Sequence, residues 1–147
     1  MDGAKWVLGG LMKIRLDHIG IAVENIVDGS KFWQILGLEQ GGEERNEEQG
    51  VDIRFFETDG DGKGPRIELL EPLGEDTPIG RFLKKRGQGI QQVAFEVENL
   101  DTLLAQLIKE GIHVINEVPV KGSHGSRIAF VHPSSTGGVL VELLQYE

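Results

Sequence analysis

Cysteine is absent from all 147 positions of the sequence. Disulfide bonds and thiolate ligands are thereby excluded, so any bound metal ion must be held by nitrogen and oxygen atoms. Long apolar runs are absent too, since none approaches the roughly 20 residues that a membrane-spanning helix needs. We therefore expect a cytoplasmic protein that has no membrane partner.

Basic residues are also fewer than acidic residues. The chain has 15 lysine and arginine residues against 24 aspartate and glutamate residues, which gives a formal net charge of −9. Proteins that bind nucleic acids normally present a basic face, so nucleic acid is not the expected partner and a small molecule is favoured. The hydrophobic fraction of 39% is that of a chain that folds on its own. We predict a disordered leader over residues 1–13 and a single domain over residues 14–147.

The sequence repeats itself at a fixed offset. Leu16–Val23 reads LDHIGIAV and Ile90–Val97 reads IQQVAFEV, and each segment is followed by Glu-Asn. The final valines of the two segments are 97 − 23 = 74 positions apart. The same offset relates three further pairs: Gly37 and Gly111, Phe56 and Phe130, and the IELL and VELL motifs at 67–70 and 141–144. Four landmarks in one gapless frame indicate an internal duplication.

Each half of the repeat carries the signals of one strand, one helix and three further strands. Predicted strands cover residues 16–23, 38–44, 51–58 and 66–71 in the first half and 91–97, 112–118, 127–132 and 139–145 in the second. Gly37 and Gly111 end the two predicted helices, and Thr77-Pro78 begins a linker helix over residues 77–87. The predicted fold class is α+β, with tandem βαβββ modules at 14–72 and 88–146 that form a cupped, barrel-like mixed sheet with the helices outside.

The duplication brings polar residues to matching strand positions. His18 shares a strand face with the small Gly20, and the offset pairs His18 with Gln92 and Glu68 with Glu142. A single histidine in a strand is more often structural, but the matching offset favours metal ligands. One imidazole, two carboxylates and one amide suit a divalent ion, and Co²⁺, Mn²⁺, Ni²⁺, Zn²⁺ and Mg²⁺ all stay open.

Three phrases of the sequence resemble one enzyme family. They are DHIGIAV in the first strand, IELLEPLGEDTPI with RFLKKRG, and HPSSTGGVLVELLQ near the C-terminus. From about Ile14 onward the chain resembles the vicinal-oxygen-chelate (glyoxalase) superfamily and, within it, the methylmalonyl-CoA epimerases. The resemblance implies a glyoxalase fold, a divalent metal cofactor, a homodimer, and interconversion of (2R)- and (2S)-methylmalonyl-CoA, an acyl-CoA substrate, through an enediolate. Glu142 would then be both a metal ligand and the base on one face of C2.

The sequence departs from this family at two positions. It reads Gln91-Gln92 where the family has an HHIAF-type strand, so an amide replaces the histidine ligand at position 92. Some epimerases have a glutamate in the second central strand where this chain has Ile53. The base on the other face of C2 is therefore unassigned, and Asp52 and Glu57 are nearby acids.

The polar loop at residues 121–127 resembles the loop that lies beside the substrate in this family. It offers backbone N–H groups, two cations and a histidine, so we predict CoA contacts from Lys121, Ser123, His124 and Arg127. A solvated hairpin is the alternative for this segment.

Three alternatives to the epimerase function stay open. The same enediolate chemistry serves a glyoxalase I-like lyase or isomerase and other acyl-CoA epimerases. A metal-free module of the same fold that binds a small ligand is the third alternative, although His18, Glu68 and Glu142 argue against it.

Overall fold

The computed structural model describes residues 12–147, which divide into two compact units. The first unit comprises residues 17–93, and the second comprises residues 12–16 and 94–147. Of the leader predicted over residues 1–13, positions 1–11 lie outside the described residues. Met12 packs against a hydrophobic cluster of the second unit, and the backbone N–H of Lys13 donates a hydrogen bond to the Glu98 carboxylate.

The order of the elements repeats, as the duplication predicts. The first half contains β1 (Ile14–Ala22), α1 (Ile26–Gly29), α2 (Lys31–Leu36), β2 (Glu39–Asn46), β3 (Val51–Glu57) and β4 (Arg66–Pro72). The joining helix is α3 (Pro78–Arg86). The second half contains β5 (Gly89–Val97), α4 (Leu100–Lys109), β6 (Val120–Lys121), β7 (Arg127–Val131) and β8 (Val141–Gln145). The predicted βαβββ arrangement and the α+β class are confirmed.

The strands form a mixed sheet in the order β2-β3-β4-β1-β5-β8-β7-β6. β1 and β4 are parallel, whereas the pairs β2–β3, β3–β4, β6–β7 and β7–β8 are antiparallel. In the parallel pair, His18 lies opposite Arg66 and Gly20 lies opposite Glu68. Since side chains two positions apart on a strand share a face, these four positions belong to one face of the first unit's strands.

Side-chain caps begin three helices, one of them at Thr77, where the sequence predicts a helix start. The side chains of Asn25, Thr77 and Asn99 each accept a hydrogen bond from a backbone N–H three residues later. Such caps satisfy N–H groups that the first helical turn leaves without a partner. Gly37 ends α2 with φ 103°, and Gly111 follows α4 with φ 84°, a conformation that glycine adopts without steric cost. Among residues 12–147, no helix has the length and apolar character that would let it cross a membrane.

The two halves differ in strand register by one residue. Phe130 lies opposite Glu142, so the offset of 74 predicts Phe56 opposite Glu68. The structure instead places Phe55 opposite Glu68. The connection between the paired positions is accordingly 68 − 55 − 1 = 12 residues long in the first half and 142 − 130 − 1 = 11 in the second. Phe56 and Phe130 thus match in the sequence but occupy ladder positions that differ by one residue, and both glutamates lie in the last strand of their half.

The strand predicted over residues 112–118 does not form. Within this segment Val114 makes an isolated bridge with Val131, and β6 begins only after it. The ladder is interrupted because the Asn116 side chain accepts the N–H of Phe130 in place of a backbone carbonyl. Pro119, which has no N–H to donate, then follows.

Each unit has its own hydrophobic core. In the first unit the buried members are Ala22, Val51, Ile53, Phe55, Leu70 and Ile79 in one cluster and Val23, Ile26, Phe56 and Leu69 in another. In the second unit they are Val97, Leu100, Leu103, Leu104, Val114, Ala129, Val131 and Leu143, with Ala94, Ile128 and Leu144 in a separate cluster. Leucines of these cores directly follow Glu68 and Glu142, so buried packing holds β4 and β8, the two strands that carry the predicted carboxylate ligands.

Gly80 in α3 leaves no room for a side chain. A Cβ atom there would lie 2.3 Å from the backbone oxygen of Gly74 and 2.6 Å from that of Glu75. We expect Gly80→Ala to lower the free energy of unfolding by about 1–3 kcal/mol, the usual cost of overpacking. Urea denaturation measures this change. Gly60→Ala is the control, because a Cβ at Gly60 meets no atom within 4 Å, and equal stability of the two variants would contradict the packing of α3.

Candidate active site

Three of the four predicted metal ligands meet in the first unit. His18 lies on β1, Glu68 on β4 and Gln92 on β5, and their exposed fractions are 4%, 2% and 7%. The His18 Nδ1 atom lies 3.1 Å from Glu68 Oε2, and the His18 Nε2 atom lies 3.1 Å from Gln92 Nε2. An imidazole, a carboxylate and an amide therefore converge at one buried point.

Gly20 makes this convergence possible. It follows His18 by two positions on the same face of β1 and lies opposite Glu68. A Cβ atom at this position would come within 2.8 Å of Gln92 Cγ and 3.0 Å of Leu70 Cδ1. The missing side chain gives Gln92 the room to reach His18. The space that Gly20 leaves beside His18 is thus partly filled by Gln92.

Two charged residues that strand patterning does not reveal complete the cluster. Asp17 is 2% exposed, and its Oδ2 atom lies 2.6 Å from His18 Nδ1. Arg66 Nη2 lies 3.1 Å from Asp17 Oδ2 and 3.3 Å from Glu68 Oε2. The guanidinium also lies over the Phe55 ring, 5.6 Å from its centre. One cation therefore contacts two buried carboxylates, which offsets part of the free-energy cost of burying their charge.

The contacts of His18 define how its neutral ring is protonated. Nδ1 faces carboxylate oxygens of Asp17 and Glu68, which accept hydrogen bonds when ionised, so these contacts favour the tautomer with its proton on Nδ1. Nε2 then carries the lone pair, which either accepts from the Gln92 amide N–H or binds a metal ion. A half-turn of the amide would exchange its nitrogen and oxygen, and Gln92 would then present Oε1 beside His18 Nε2.

The donor atoms fit a divalent metal ion. Asp17, His18 and Glu68 each offer a ligand atom, and these atoms all lie within 4.8 Å of one another. Histidine nitrogen with carboxylate and amide oxygens suits borderline and hard divalent ions. Because Nδ1 is engaged by carboxylates, the ring nitrogen left for an ion is Nε2, on the side of Gln92. His18 and Gln92 would hold the ion there, and Glu68, whose Oε2 atom lies 3.1 Å from Nδ1, stays a predicted ligand.

The fourth predicted ligand, Glu142, belongs to the second unit. It lies in β8 opposite Phe130 and is 6% exposed. The residues that follow it, Leu143 and Leu144, are core residues. Glu142 is thus a buried carboxylate at the repeat position of Glu68, and its part in the metal site stays a prediction.

The position where some epimerases carry the second base is apolar here. Ile53 is 4% exposed and packs in the core of the first unit. Asp52 pairs with Arg45 at 2.7 Å, and the hydrogen bond from this arginine lowers the pKa of Asp52, which makes it a poor proton acceptor. Glu57 stays a candidate, because its Oε1 atom is buried and has no hydrogen-bond partner.

The predicted CoA-binding residues lie on the β6–β7 hairpin of the second unit. Lys121 pairs with Arg127, and Ser123 and His124 lie in the 3-10 turn between them, where His124 has a left-handed φ of 56°. Arg127 Nη2 lies 2.9 Å from Asp101 Oδ1, and this hydrogen bond lowers the pKa of Asp101. Arg127 therefore has an acidic partner within its own unit, and the contact of these residues with CoA stays a prediction.

The chain matches known proteins over most of its length. Residues 17–130 match the Glyoxalase/Bleomycin resistance protein/Dioxygenase superfamily. The mitochondrial methylmalonyl-CoA epimerase of Bos taurus is 37% identical over 145 residues, which are 97% of this chain and 78% of the bovine protein. This chain belongs to the methylmalonyl-CoA epimerase family.

Further members of this family extend the match. The ethylmalonyl-CoA/methylmalonyl-CoA epimerase of Cereibacter sphaeroides is 35% identical over 134 residues, which are 89% of this chain and 97% of the bacterial protein. A solved structure of a Streptomyces coelicolor methylmalonyl-CoA epimerase, in complex with 2-nitronate-propionyl-CoA, superposes with a TM-score of 0.83 and is 38% identical in sequence. The match covers 90% of this chain and 96% of the Streptomyces chain. The glyoxalase fold and the epimerase resemblance expected from the sequence are both confirmed.

Proposed function

We propose that this chain is an epimerase that interconverts (2R)- and (2S)-methylmalonyl-CoA with a divalent metal ion. The observation that carries the proposal is the buried contact of His18 with Glu68 and Gln92 in a member of the methylmalonyl-CoA epimerase family. Buried polar groups cost free energy unless they are paired. His18, Glu68 and Gln92 form such a buried polar cluster, and Gly20 leaves room for it. A binding function therefore explains the cluster better than a contribution to folding stability does.

The reaction requires that a proton leave C2 and return on the opposite face. C2 lies between a thioester and a carboxylate, so the charge left behind spreads over oxygen atoms of both groups. A divalent ion would supply a Lewis acid for those oxygens. His18, Glu68 and Gln92 would fix the position of the ion, and their burial keeps bulk water away from this side of the site.

Glu142 is the proposed base for one face of C2. Its burial in β8 and its place at the repeat position of Glu68 support this role. A base must come within hydrogen-bond reach of the proton that it removes. For the other face, Glu57 is the remaining candidate among the acids near Ile53.

The proposed substrate class is acyl-CoA, as the named substrates of the relatives suggest. Lys121, Ser123, His124 and Arg127 are the proposed contacts with the CoA moiety. Because the Cereibacter relative is named for ethylmalonyl-CoA as well, an ethyl-substituted substrate is the second candidate. Residues 14–147 would act as a single domain in a homodimer, and a cytoplasmic location stays an expectation because the bovine relative is mitochondrial.

A coupled assay tests the proposal. Chelator-treated protein would be assayed with methylmalonyl-CoA or ethylmalonyl-CoA, without metal and with Co²⁺, Mn²⁺, Ni²⁺, Zn²⁺ or Mg²⁺, and with a coupling enzyme that accepts one epimer. We expect epimerisation that depends on added metal. Turnover of a glutathione hemithioacetal instead would favour the glyoxalase I-like alternative, and ligand binding without turnover or metal would favour the binding module.

Gln92→His should tighten the binding of Co²⁺ and Zn²⁺, because a neutral imidazole is a better donor to borderline ions than an amide. The change also restores the histidine that the family carries at this position. Calorimetric titration of the apo-protein measures the affinity, and Gln91→His on the adjacent position is the matched control. Unchanged or weaker binding by Gln92→His would mean that Gln92 does not ligate the ion, and Gln91 or a water molecule would take its place.

A further inference from the structure

We infer that Asp17 is a positioning residue of the metal site, which holds His18 with its proton on Nδ1 and its Nε2 lone pair directed to the side of Gln92. The inference rests on the metal site of the proposed function but is independent of the substrate. Of the two carboxylates that face Nδ1, Asp17 is the nearer, at 2.6 Å against 3.1 Å for Glu68. At 2% exposure its carboxylate meets little competition from water.

Asp17 is itself held in place from a second direction. Arg66 Nη2 lies 3.1 Å from the same Oδ2 atom that faces His18 Nδ1. Arg66 is anchored by its place opposite His18 in the β1–β4 pair and by its stacking over Phe55. Because two donors converge on one oxygen, rotation of the carboxylate would break both contacts. The pairing of β1 with β4 therefore fixes the orientation of the His18 ring.

The same contacts argue against Asp17 as a metal ligand. Its Oδ2 atom is close to the ligand atoms of His18 and Glu68, but Arg66 Nη2 and the protonated Nδ1 already occupy its near side. Glu68 Oε2 faces the same two donors, but Asp17 Oδ2 is closer to each of them, so an ion at Oδ2 would meet the stronger repulsion from the guanidinium charge. An ion at Nε2 avoids that repulsion. Metal-binding histidines usually donate their other ring N–H to a carboxylate or a carbonyl, and Asp17 supplies such an acceptor.

The apo-protein tests this role by ¹H–¹⁵N NMR. The Nδ1–H proton of His18 should give a downfield resonance that exchanges slowly, because the hydrogen bond is short and the ring is 4% exposed. His18→Gln identifies the resonance by removing it. Asp17→Asn should move it upfield, since an amide oxygen accepts without charge, and Asp17→Ala should move it further or lose it to exchange. Asp76→Asn breaks an exposed ion pair with Arg81 in the same unit and should leave it unchanged.

Titration of the same variants with Co²⁺ separates positioning from ligation. Asp17→Ala should bind Co²⁺ about 10–100-fold more weakly, as loss of the partner of a ligating histidine does. Asp17→Asn should recover part of the affinity. At saturation the visible spectrum of bound Co²⁺ should match that of the wild type in both variants, because the ligands are the same.

Several results would overturn the inference. A changed Co²⁺ spectrum at saturation would make Asp17 a ligand, and an unchanged resonance with unchanged affinity would leave it without a role. If Asp17→Ala does not fold, Asp17→Asn tests the inference instead. The inference then requires that Asp17→Asn differ from Asp76→Asn both in the His18 Nδ1–H resonance and in the affinity for Co²⁺. Failure of the proposed function is a separate result, because a wild-type protein that binds Co²⁺ without epimerising methylmalonyl-CoA would refute that function and leave the role of Asp17 intact.

Discussion

Replacement of His18 by alanine is expected to abolish metal binding and epimerisation together. The ring contacts Asp17, Glu68 and Gln92, so its loss removes the ligating nitrogen and the centre of the buried cluster. The affinity for Co²⁺ should fall by more than the roughly 10–100-fold that loss of a supporting residue costs. Isothermal titration calorimetry of the apo-protein, together with the coupled assay, measures both losses.

High concentrations of Co²⁺ or Mn²⁺ should restore part of the activity of His18→Ala, because Glu68 and Gln92 remain. His113→Ala is the matched control, since His113 is an exposed histidine of the second unit, and it should behave as the wild type. Wild-type metal affinity in His18→Ala would exclude His18 as a ligand. Loss of activity with intact metal binding would assign the histidine to the substrate instead.

Glu142→Gln is expected to lower turnover by at least about 100-fold while the fold stays intact. The amide is nearly isosteric with the carboxylate, so the packing of β8 should persist, but the amide cannot take a proton. A 100-fold loss corresponds to about 2.7 kcal/mol of transition-state stabilisation. The epimerisation rate at saturating metal measures the effect, and thermal denaturation confirms that the variant is folded.

Proton exchange separates the two proposed roles of Glu142. Deuterium wash-in at C2 should collapse for the epimer whose proton faces Glu142 if the carboxylate is a base. Glu117→Gln, at an exposed position of the second unit, is the control and should exchange normally. Near-normal wash-in and epimerisation by Glu142→Gln would make this residue a ligand or a spectator, and both bases would have to be sought elsewhere.

The parts of the fold that follow from local chemistry could be predicted from the sequence. Asn25, Thr77 and Asn99 cap helices because their side chains compete for the first N–H groups, which depends on a few neighbouring residues alone. The 74-residue offset also predicted that His18 and Gln92 lie close together, since repeated strands occupy equivalent places in the sheet.

Features that depend on long-range contacts could not be predicted. Strand alternation assigns Asp17 to the face opposite His18, yet their side chains meet, and Arg66 is a residue type that usually lies at the surface. The strand expected over residues 112–118 fails because a side chain, that of Asn116, accepts a hydrogen bond that a ladder would give to the backbone. A local sequence pattern cannot predict this hydrogen bond, because its donor, the N–H of Phe130, lies 14 residues from Asn116.

Exchange of the C2 proton of methylmalonyl-CoA with D₂O, followed by ¹H NMR, tests the proposed function most directly. It detects proton removal on either face without a coupling enzyme. We predict metal-dependent loss of the C2–H signal with the wild-type protein, and no loss after chelation or with His18→Ala at the metal concentration that saturates the wild type. A folded, metal-loaded wild-type protein that leaves the C2 proton of both epimers unexchanged would contradict the proposed epimerase.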